Sequence, residues 1–193
     1  MKKHLDYFAR CAGFVAMGLE WFALIFFILR EPYYFSGRYP ISYFAALPTT
    51  QWVFSLCYFG AAICFWLFST YHLKKHFVTP IKTFSVSMLL FSGLALYPYN
   101  PSNPISSTVH NWLAILSLGL FYLGMLFLAK YSSDQKFRLI TSFSVVISMG
   151  LMIGFATIPR DSALILPFET SAWFVCQLWI VWISYLAYKR SLV

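Results

Sequence analysis

Charged residues are scarce in this 193-residue chain, where Asp, Glu, Lys and Arg together make up 10% of the sequence. A soluble domain carries about 25% charged residues, so the composition excludes an ordinary soluble domain. Hydrophobic residues account for 60% of the chain, and its mean hydropathy is +0.70. Together these values indicate an integral membrane protein.

The sequence also lacks the short motifs that usually carry chemistry. It contains no GxSxG, no P-loop, no HExxH and no CxxC pair. The cysteines all lie in apolar runs, where we expect small buried side chains without a redox role: Cys11, Cys57, Cys64 and Cys176. The sequence therefore predicts no metal site and no cofactor.

Apolar segments are what the chain has in abundance. A membrane-spanning helix needs about 20 mostly apolar residues. Six segments qualify, of which the third is the shortest: 11–30, 51–71, 82–97, 109–130, 137–158 and 171–188. We therefore expect an all-α fold, a single polytopic domain over residues 1–193 built as a bundle of six transmembrane helices. The first segment contains Glu20 and has no cleavage site after it, so it should be an uncleaved helix rather than a signal peptide.

The basic residues predict the orientation of these helices. Eleven of them fall on one side of a six-helix chain: Lys2, Lys3, Arg10, Lys74, Lys75, Lys82, Lys130, Lys136, Arg138, Lys189 and Arg190. The other side has three: Arg30, Arg38 and Arg160. Because basic loops stay in the cytoplasm, we expect both termini inside and the protein in a bacterial inner membrane. The net charge of +8 then serves topology and attraction to anionic lipids, with no nucleic-acid partner.

The unusual residues lie in the outer loops that this topology predicts, which are 30–51, 97–109 and 158–170. The stretch 97–114 begins with Tyr97, Asn100 and several prolines that block a helix. It should then start the fourth helix at Ser107, which places His110 in the first helical turn. A neutral imidazole there could act as a base, a ligand or a hydrogen-bond donor, or could simply anchor the loop.

Glu20 lies near the middle of the first helix. A carboxylate at bilayer depth costs about 2.5–3.5 kcal/mol on insertion scales, so we expect it to be protonated or hydrogen-bonded inside the bundle. One interpretation is a proton or cation site, or a polar anchor for a ligand. The alternative is a neutral carboxyl bonded to a serine or a carbonyl of a neighbouring helix.

The last outer loop supplies Arg160, Asp161 and Glu169. The first two are adjacent and could simply offset each other's charge. Glu169 should precede the sixth helix, where Thr170 or Ser171 would cap it and an acid suits the helix dipole. Together with His110, the two acids could bind a ligand or act as acid and base, but no metal-ligand spacing supports a metal there.

Small residues predict where helices pack closely. On the fourth helix, Ala114, Ser117 and Gly124 follow His110 at helical spacing, so this face should point into the bundle. The fifth helix has a GxxxG spacing at Gly150 and Gly154, which we expect to mark tight packing inside the bundle rather than a dimer.

Two stretches resemble a bacterial and archaeal six-helix membrane family of unknown function. YPISYFAALPTTQWVFSLCYFGAA is similar to its outer loop and second helix through Ile41 and Ser42, although alanine stands where that family usually has glycine. GLALYPYNPSNPISSTVHNWLA is similar to its second signature, and the matching residues are Gly93, Pro98, His110 and Ala114. Where that family often has charged residues, this chain has Tyr99 and the pair Glu169-Thr170.

The same order of features is similar to the damage-regulated autophagy modulator (DRAM) and FGF-receptor-activating-protein group. This resemblance implies the six-helix fold, a role in lipid handling and membrane lipids as partners, without a shared catalytic activity.

Three functions follow as hypotheses. The first is a protein that binds or organises lipid or a small ligand in a polar vestibule open to the outer face. Its floor would be Glu20, and His110 with Asp161 or Glu169 would form its rim. Tyr97, Asn100 and Arg160 would be further ligand contacts. The second is a small proton-coupled transporter that uses Glu20. The third is an enzyme acting on lipid headgroups with His110 as base.

Overall fold

The computed structural model describes residues 2–35, 39–72, 78–100, 102–159 and 162–189. Within these ranges the chain is all-α and contains no strand. Its helices are α1 Lys2–Arg30, α2 Gln51–His72, α3 Val78–Leu96, α4 Pro104–Tyr131, α5 Gln135–Thr157 and α6 Ile165–Tyr188. Two short 3-10 helices, Pro32–Phe35 and Ile41–Ala45, lie between α1 and α2.

Five of the helices are long and apolar enough to cross a membrane, namely all except α3. The apolar part of α3, Pro80–Leu96, is shorter, in agreement with the expectation that the third segment is the shortest. The chain is thus an all-α, multi-pass membrane protein.

Three helices begin at least five residues earlier than the sequence predicts. The first starts at Lys2 instead of residue 11, α4 at Pro104 instead of 109, and α6 at Ile165 instead of 171. For α4 the reason is local, because the side chain of Asn103 accepts hydrogen bonds from the backbone of Ile105 and Ser106. Proline is favoured at the first helical position, so Pro104 opens this helix where we expected it to block one.

The six helices form a closed ring. Each helix packs against the next one along the chain, and α6 returns to pack against α1. Neighbouring helices run antiparallel, as two contacts show for α3 and α4: Ser87 Oγ donates to the carbonyl of Ser117 (2.7 Å), and Gly93, later in α3, lies against Leu113, earlier in α4. We call the end of the ring where α1 begins and α6 ends the terminal end. The described residues of the segments 31–50, 97–103 and 158–164 lie at the opposite end, the loop end.

Four aromatic rings fill the ring of helices near its middle. They come from α2, α3, α4 and α6 and pack at centroid distances between 5.5 and 6.2 Å: Phe65, Phe84, Phe121 and Trp179. Gly124 allows this packing, since a Cβ there would lie 2.8 Å from the ring of Phe84. Edge-to-face contacts of this kind stabilise the core beyond the area they bury.

Buried polar groups join α4, α5 and α6. The hydroxyls of Tyr122 and Ser148 are hydrogen-bonded, and Ser148 Oγ also donates to the carbonyl of Ala172 at 2.9 Å. Nearer the terminal end, the indole of Trp179 donates to Thr141 Oγ1 at 3.0 Å. Such interhelical hydrogen bonds hold membrane helices together where lipid supplies no hydrophobic driving force.

The predicted packing faces are confirmed in part. His110, Ser117 and Gly124 are buried, so this face of α4 does point into the bundle. On α5, a Cβ at Gly154 would lie 2.4 Å from the ring of Phe168, whereas nothing lies within 4 Å of one at Gly150. The GxxxG prediction is therefore correct for Gly154. It is wrong for Gly150, which lies on the exposed side of α5.

Candidate functional site

Glu20 is buried between α1 and α6. Its side chain is 8% exposed, and its Oε2 accepts a hydrogen bond from Nε2 of Gln177 at 2.7 Å. Glu20 lies ten residues before the end of α1, or about 15 Å below it at a rise of 1.5 Å per residue. The partner is a neutral amide of a neighbouring helix, where the sequence led us to expect a serine or a backbone carbonyl.

Two cavities meet at this pair, and the first is small. It has a volume of about 30 Å³ and lies inside the ring, between α1, α2, α3, α4 and α6. Besides Glu20 and Gln177, its polar lining consists of Ser87, Ser117 and Cys176. A water molecule needs about 10–15 Å³ of such space, so this central cavity has room for one or two waters and for no larger ligand.

The second cavity is larger and opens between α1 and α6. Its volume is about 340 Å³, and we call it the lateral cavity. Residues of α1 and α6 form most of its walls, and Tyr58 of α2, Leu151 of α5 and Ile41 of the 3-10 helix complete them. Glu20, Gln177 and Trp173 line both cavities, so the Glu20–Gln177 pair forms part of the wall between them.

Two aromatic rings stand beside the lateral cavity at the bundle surface. Trp21 and Phe174 are both exposed and line the cavity. Their rings meet edge to face at a centroid distance of 5.9 Å, across the gap between α1 and α6. The edge of the lateral cavity at the bundle surface is therefore apolar and aromatic, as expected of a surface that faces lipid.

Close packing elsewhere on α1 accounts for the position of the lateral cavity. Nearer the terminal end, α1 and α6 approach so closely that a Cβ on Gly13 would lie 1.9 Å from Ser184 Oγ. Glu20 lies seven residues further along, about 10 Å up the helix. At that level the two helices are further apart, and bulky aromatic side chains line the space between them.

His110 anchors the loop that precedes it. The imidazole is 4% exposed, and its Nδ1 is hydrogen-bonded to the carbonyl of Tyr97 at 2.8 Å. The predicted cap at Ser107 is wrong, because Asn103 caps α4 and places His110 in the second helical turn. His110 lines neither of the cavities that contain Glu20.

Asn100 and Tyr97 belong to the same loop. The carbonyl of Asn100 accepts a hydrogen bond from Ser107 Oγ at 2.6 Å, and its side chain accepts one from the backbone of Ser102 at 3.0 Å. Tyr97 contributes its carbonyl to His110, while its side chain is exposed. These contacts order the loop, and a role of either residue in ligand binding stays a prediction.

Glu169 lies inside α6 and not before it. The helix begins at Ile165, so Glu169 is in its second turn, and the predicted cap at Thr170 or Ser171 is wrong. Its carboxylate Oε2 accepts a hydrogen bond from the backbone of Ile41 at 2.6 Å. Glu169 thereby fastens the 3-10 helix Ile41–Ala45 to α6 at the loop end, directly beside the lateral cavity that Ile41 lines.

The remaining predicted residues, Arg160 and Asp161, lie outside the described residues. Each of the other three has a hydrogen-bond partner of its own: Glu20 is bonded to Gln177, His110 to Tyr97 and Glu169 to Ile41. Among the described residues, no group of three or more His, Cys, Asp or Glu side chains could hold a metal ion.

The sequence reasoning missed Gln177. The signal was present, since Gln177 is an amide within the otherwise apolar stretch 172–183, twelve residues from the start of α6. Glu20 lies at a comparable depth from the loop end of α1. Two isolated polar residues at matching depths in different membrane helices are candidates for pairing, because each needs a hydrogen-bond partner away from water.

No known protein family, curated protein or solved structure matches this chain. The site must therefore be interpreted from its own geometry.

Proposed function

We propose that this protein binds a lipid or a lipid-like small molecule in the lateral cavity, with Glu20 and Gln177 as its polar contacts. One observation carries the proposal: a cavity of about 340 Å³ lies between α1 and α6, and its wall contains a buried carboxyl that is hydrogen-bonded to an amide. Binding sites for small molecules have volumes of about 300–1,000 Å³ and apolar linings with a few polar groups.

The composition of the walls supports an amphipathic ligand. Leu24, Leu151, Val175 and the rings of Trp173 and Phe174 present apolar surface. A hydrocarbon portion would lie against these side chains, and the polar group of the ligand would reach the Glu20–Gln177 pair. The exposed rings beside the cavity would let such a molecule enter from the bilayer without passing through water.

The same proposal includes the finer topology. It places six spans in a bacterial inner membrane, with the terminal end in the cytoplasm and the loop end outside. The eleven basic residues on the side of the termini support this orientation. The lateral cavity would then open in the outer half of the bilayer.

Photolabelling tests the binding proposal. The full chain in liposomes is incubated with a fatty alcohol that carries a diazirine, irradiated and mapped by peptide mass spectrometry. Labelling should concentrate on residues 20–24 of α1 and 170–177 of α6. The variant Ser171→Trp, which fills the cavity from an exposed lining position, should reduce it several-fold.

A matched control uses the outward face of α5. Val146 is 67% exposed and lines neither cavity, so Val146→Trp should leave the labelling of α1 and α6 unchanged. Labelling spread evenly over all lipid-facing helices, or unaffected by Ser171→Trp, would contradict a binding site between α1 and α6.

Proton-coupled transport is the second candidate, and one observation favours it. Glu20 lines both the central and the lateral cavity, so a proton on its carboxyl could reach either side of the wall. Uptake of a solute driven by a proton gradient, and lost in Glu20→Gln, would support transport. Uptake that changes with neither the gradient nor the substitution would contradict proton-coupled transport, and ligand binding would remain as the proposed function.

A further inference from the structure

We infer that the lateral cavity selects apolar organic cations, and that the cation exchanges with a proton on Glu20. The inference rests on the proposed function, because it names the ligand class of the same cavity. It begins from a charge imbalance in the walls. Among the described residues that line the lateral cavity, Glu20 is the single ionisable side chain besides the phenol of Tyr58, and none is Lys, Arg or His.

The contact with Gln177 does not supply a countercharge. Nε2 of Gln177 donates one hydrogen bond to Oε2 of Glu20, but an amide is neutral. An ionised carboxylate at this depth therefore lacks an opposite charge among the lining residues and is costly. While the cavity holds no cation, the carboxyl keeps its proton. A cation beside Glu20 removes that cost, and the proton leaves.

The rings around Glu20 favour an organic cation. Trp21, Tyr58, Trp173 and Phe174 all line the lateral cavity. The faces of aromatic rings attract cations, and the attraction is stronger where water is excluded. A carboxylate among several rings is thus suited to a protonated amine or a quaternary onium group attached to an apolar body.

Two other ligand classes fit these walls poorly. A phosphate headgroup would place its negative charge against Glu20 with no basic side chain in the lining to offset it. A bare metal ion needs several oxygen ligands in place of its hydration shell. The described lining offers one carboxyl, that of Glu20, and its other side-chain oxygens are neutral groups of Tyr58, Thr170, Ser171 and Gln177.

The other titratable groups near Glu20 would not repel a cation either. Tyr58 of α2 lines the lateral cavity together with Glu20. Cys176 of α6 lines the central cavity together with Glu20, and Glu169 lies eight residues from Gln177, about 12 Å along α6. All three groups are neutral or negative, so a cation in the cavity meets no opposing charge from α2 or α6.

Titration with tetraphenylphosphonium tests the inference. The full chain, purified in a neutral detergent, is titrated by calorimetry between pH 5 and pH 8 in buffers of different ionisation enthalpy. Binding should tighten by up to about tenfold per pH unit while Glu20 is protonated in the free protein, since cation and proton compete for one carboxylate. Each bound cation should release up to one proton.

Matched carboxyl variants define the result. Glu20→Gln keeps the size of the side chain but cannot ionise, so it should bind the probe at least tenfold more weakly and release no proton. Glu31→Gln removes a carboxyl that contacts Thr49 at the loop end and lines neither cavity, and it should bind like the parent chain. Unchanged thermal melting shows that both variants fold.

Two outcomes would overturn the inference. One is equal binding by Glu20→Gln and the parent chain. The other is no binding of tetraphenylphosphonium at any pH while the diazirine alcohol still labels α1 and α6; in that case the cavity binds neutral lipid-like molecules, and the proposed function stands. Loss of both signals would remove the proposed function together with the inference.

Discussion

Gln177 explains how a carboxyl is accommodated in α1. An unpaired carboxyl at bilayer depth would be expensive, and the amide of Gln177 gives it a hydrogen bond at 2.7 Å. The amide itself gains a partner in an apolar helix. The pair is polar without carrying an opposite charge, so it stabilises the fold while leaving the carboxyl able to meet a ligand.

The hydrogen bond of His110 yields a prediction for stability. In His110→Ala the carbonyl of Tyr97 loses its imidazole partner, which should destabilise the protein by about 1–3 kcal/mol. Thermal unfolding in detergent, followed by tryptophan fluorescence, measures the change. His110→Asn should recover much of the stability, because the asparagine amide occupies nearly the same position as Nδ1.

The opposite outcome would restore a chemical role for His110. A His110→Ala protein that melts like the parent chain but is no longer photolabelled on α1 and α6 would show that the imidazole acts beyond the loop. The structure favours the anchor, since Ser106 and Ser107 also bond the backbone of this loop and His110 belongs to the same set of contacts.

The contact between α1 and α6 yields a prediction for helix packing. Gly13→Ala would place a Cβ 1.9 Å from Ser184 Oγ and 3.1 Å from Ser184 Cβ, so the hydroxyl of Ser184 must rotate away and α6 must move back slightly. We expect a loss of about 1–3 kcal/mol in the free energy of unfolding, the usual cost of overpacking. Chemical denaturation in mixed micelles measures it. Gly18→Ala in the same helix is the control, since nothing lies within 4 Å of its Cβ position.

A double variant separates this contact from a general effect on α1. Ser184 Oγ is buried and has no hydrogen-bond partner among the described residues, so Ser184→Ala alone should be neutral or slightly stabilising. Combined with Gly13→Ala, it should recover part of the lost stability. Independent, additive effects of the two substitutions would show that these helices do not meet at Gly13.

The helices were more predictable than their ends. All six apolar segments are helical, because length and composition are strong signals for membrane helices. The starts of α4 and α6 were misplaced, since prolines at 104 and 167 lie within the first helical turn, where proline is tolerated. Whether a proline starts or blocks a helix depends on the residue before it. For α4 that residue is Asn103, which caps the helix, whereas the sequence led us to expect the cap at Ser107.

The arrangement of the site was much less predictable. Glu20 and Gln177 are 157 positions apart, and no local pattern links them. Their contact follows from the closure of the ring by α1 and α6, which depends on the close approach at Gly13 and Ser184. The predicted vestibule placed His110 above Glu20, but α4 presents His110 to its own loop. The resemblance to the DRAM group stays a prediction.

At the scale of the whole molecule, α3 decides the topology. Its apolar part, Pro80–Leu96, has 17 residues and spans about 26 Å at 1.5 Å per residue. The hydrocarbon core is about 30 Å thick, so the crossing of α3 that the proposed six-span topology requires would leave a small mismatch, which local thinning or the reach of Lys82 toward the surface would absorb. If α3 did not cross, every later loop would change sides.

Cysteine accessibility in intact cells tests this topology. In a variant without the four native cysteines, Tyr33→Cys, Ser102→Cys and Ser133→Cys each place one thiol at an exposed position. A maleimide that cannot cross membranes should label positions 33 and 102 in intact cells, because both lie at the loop end. Position 133 should react only after permeabilisation. Labelling of 33 and 133 without 102 would show that α3 fails to span, and labelling of 133 alone would reverse the orientation of the bundle.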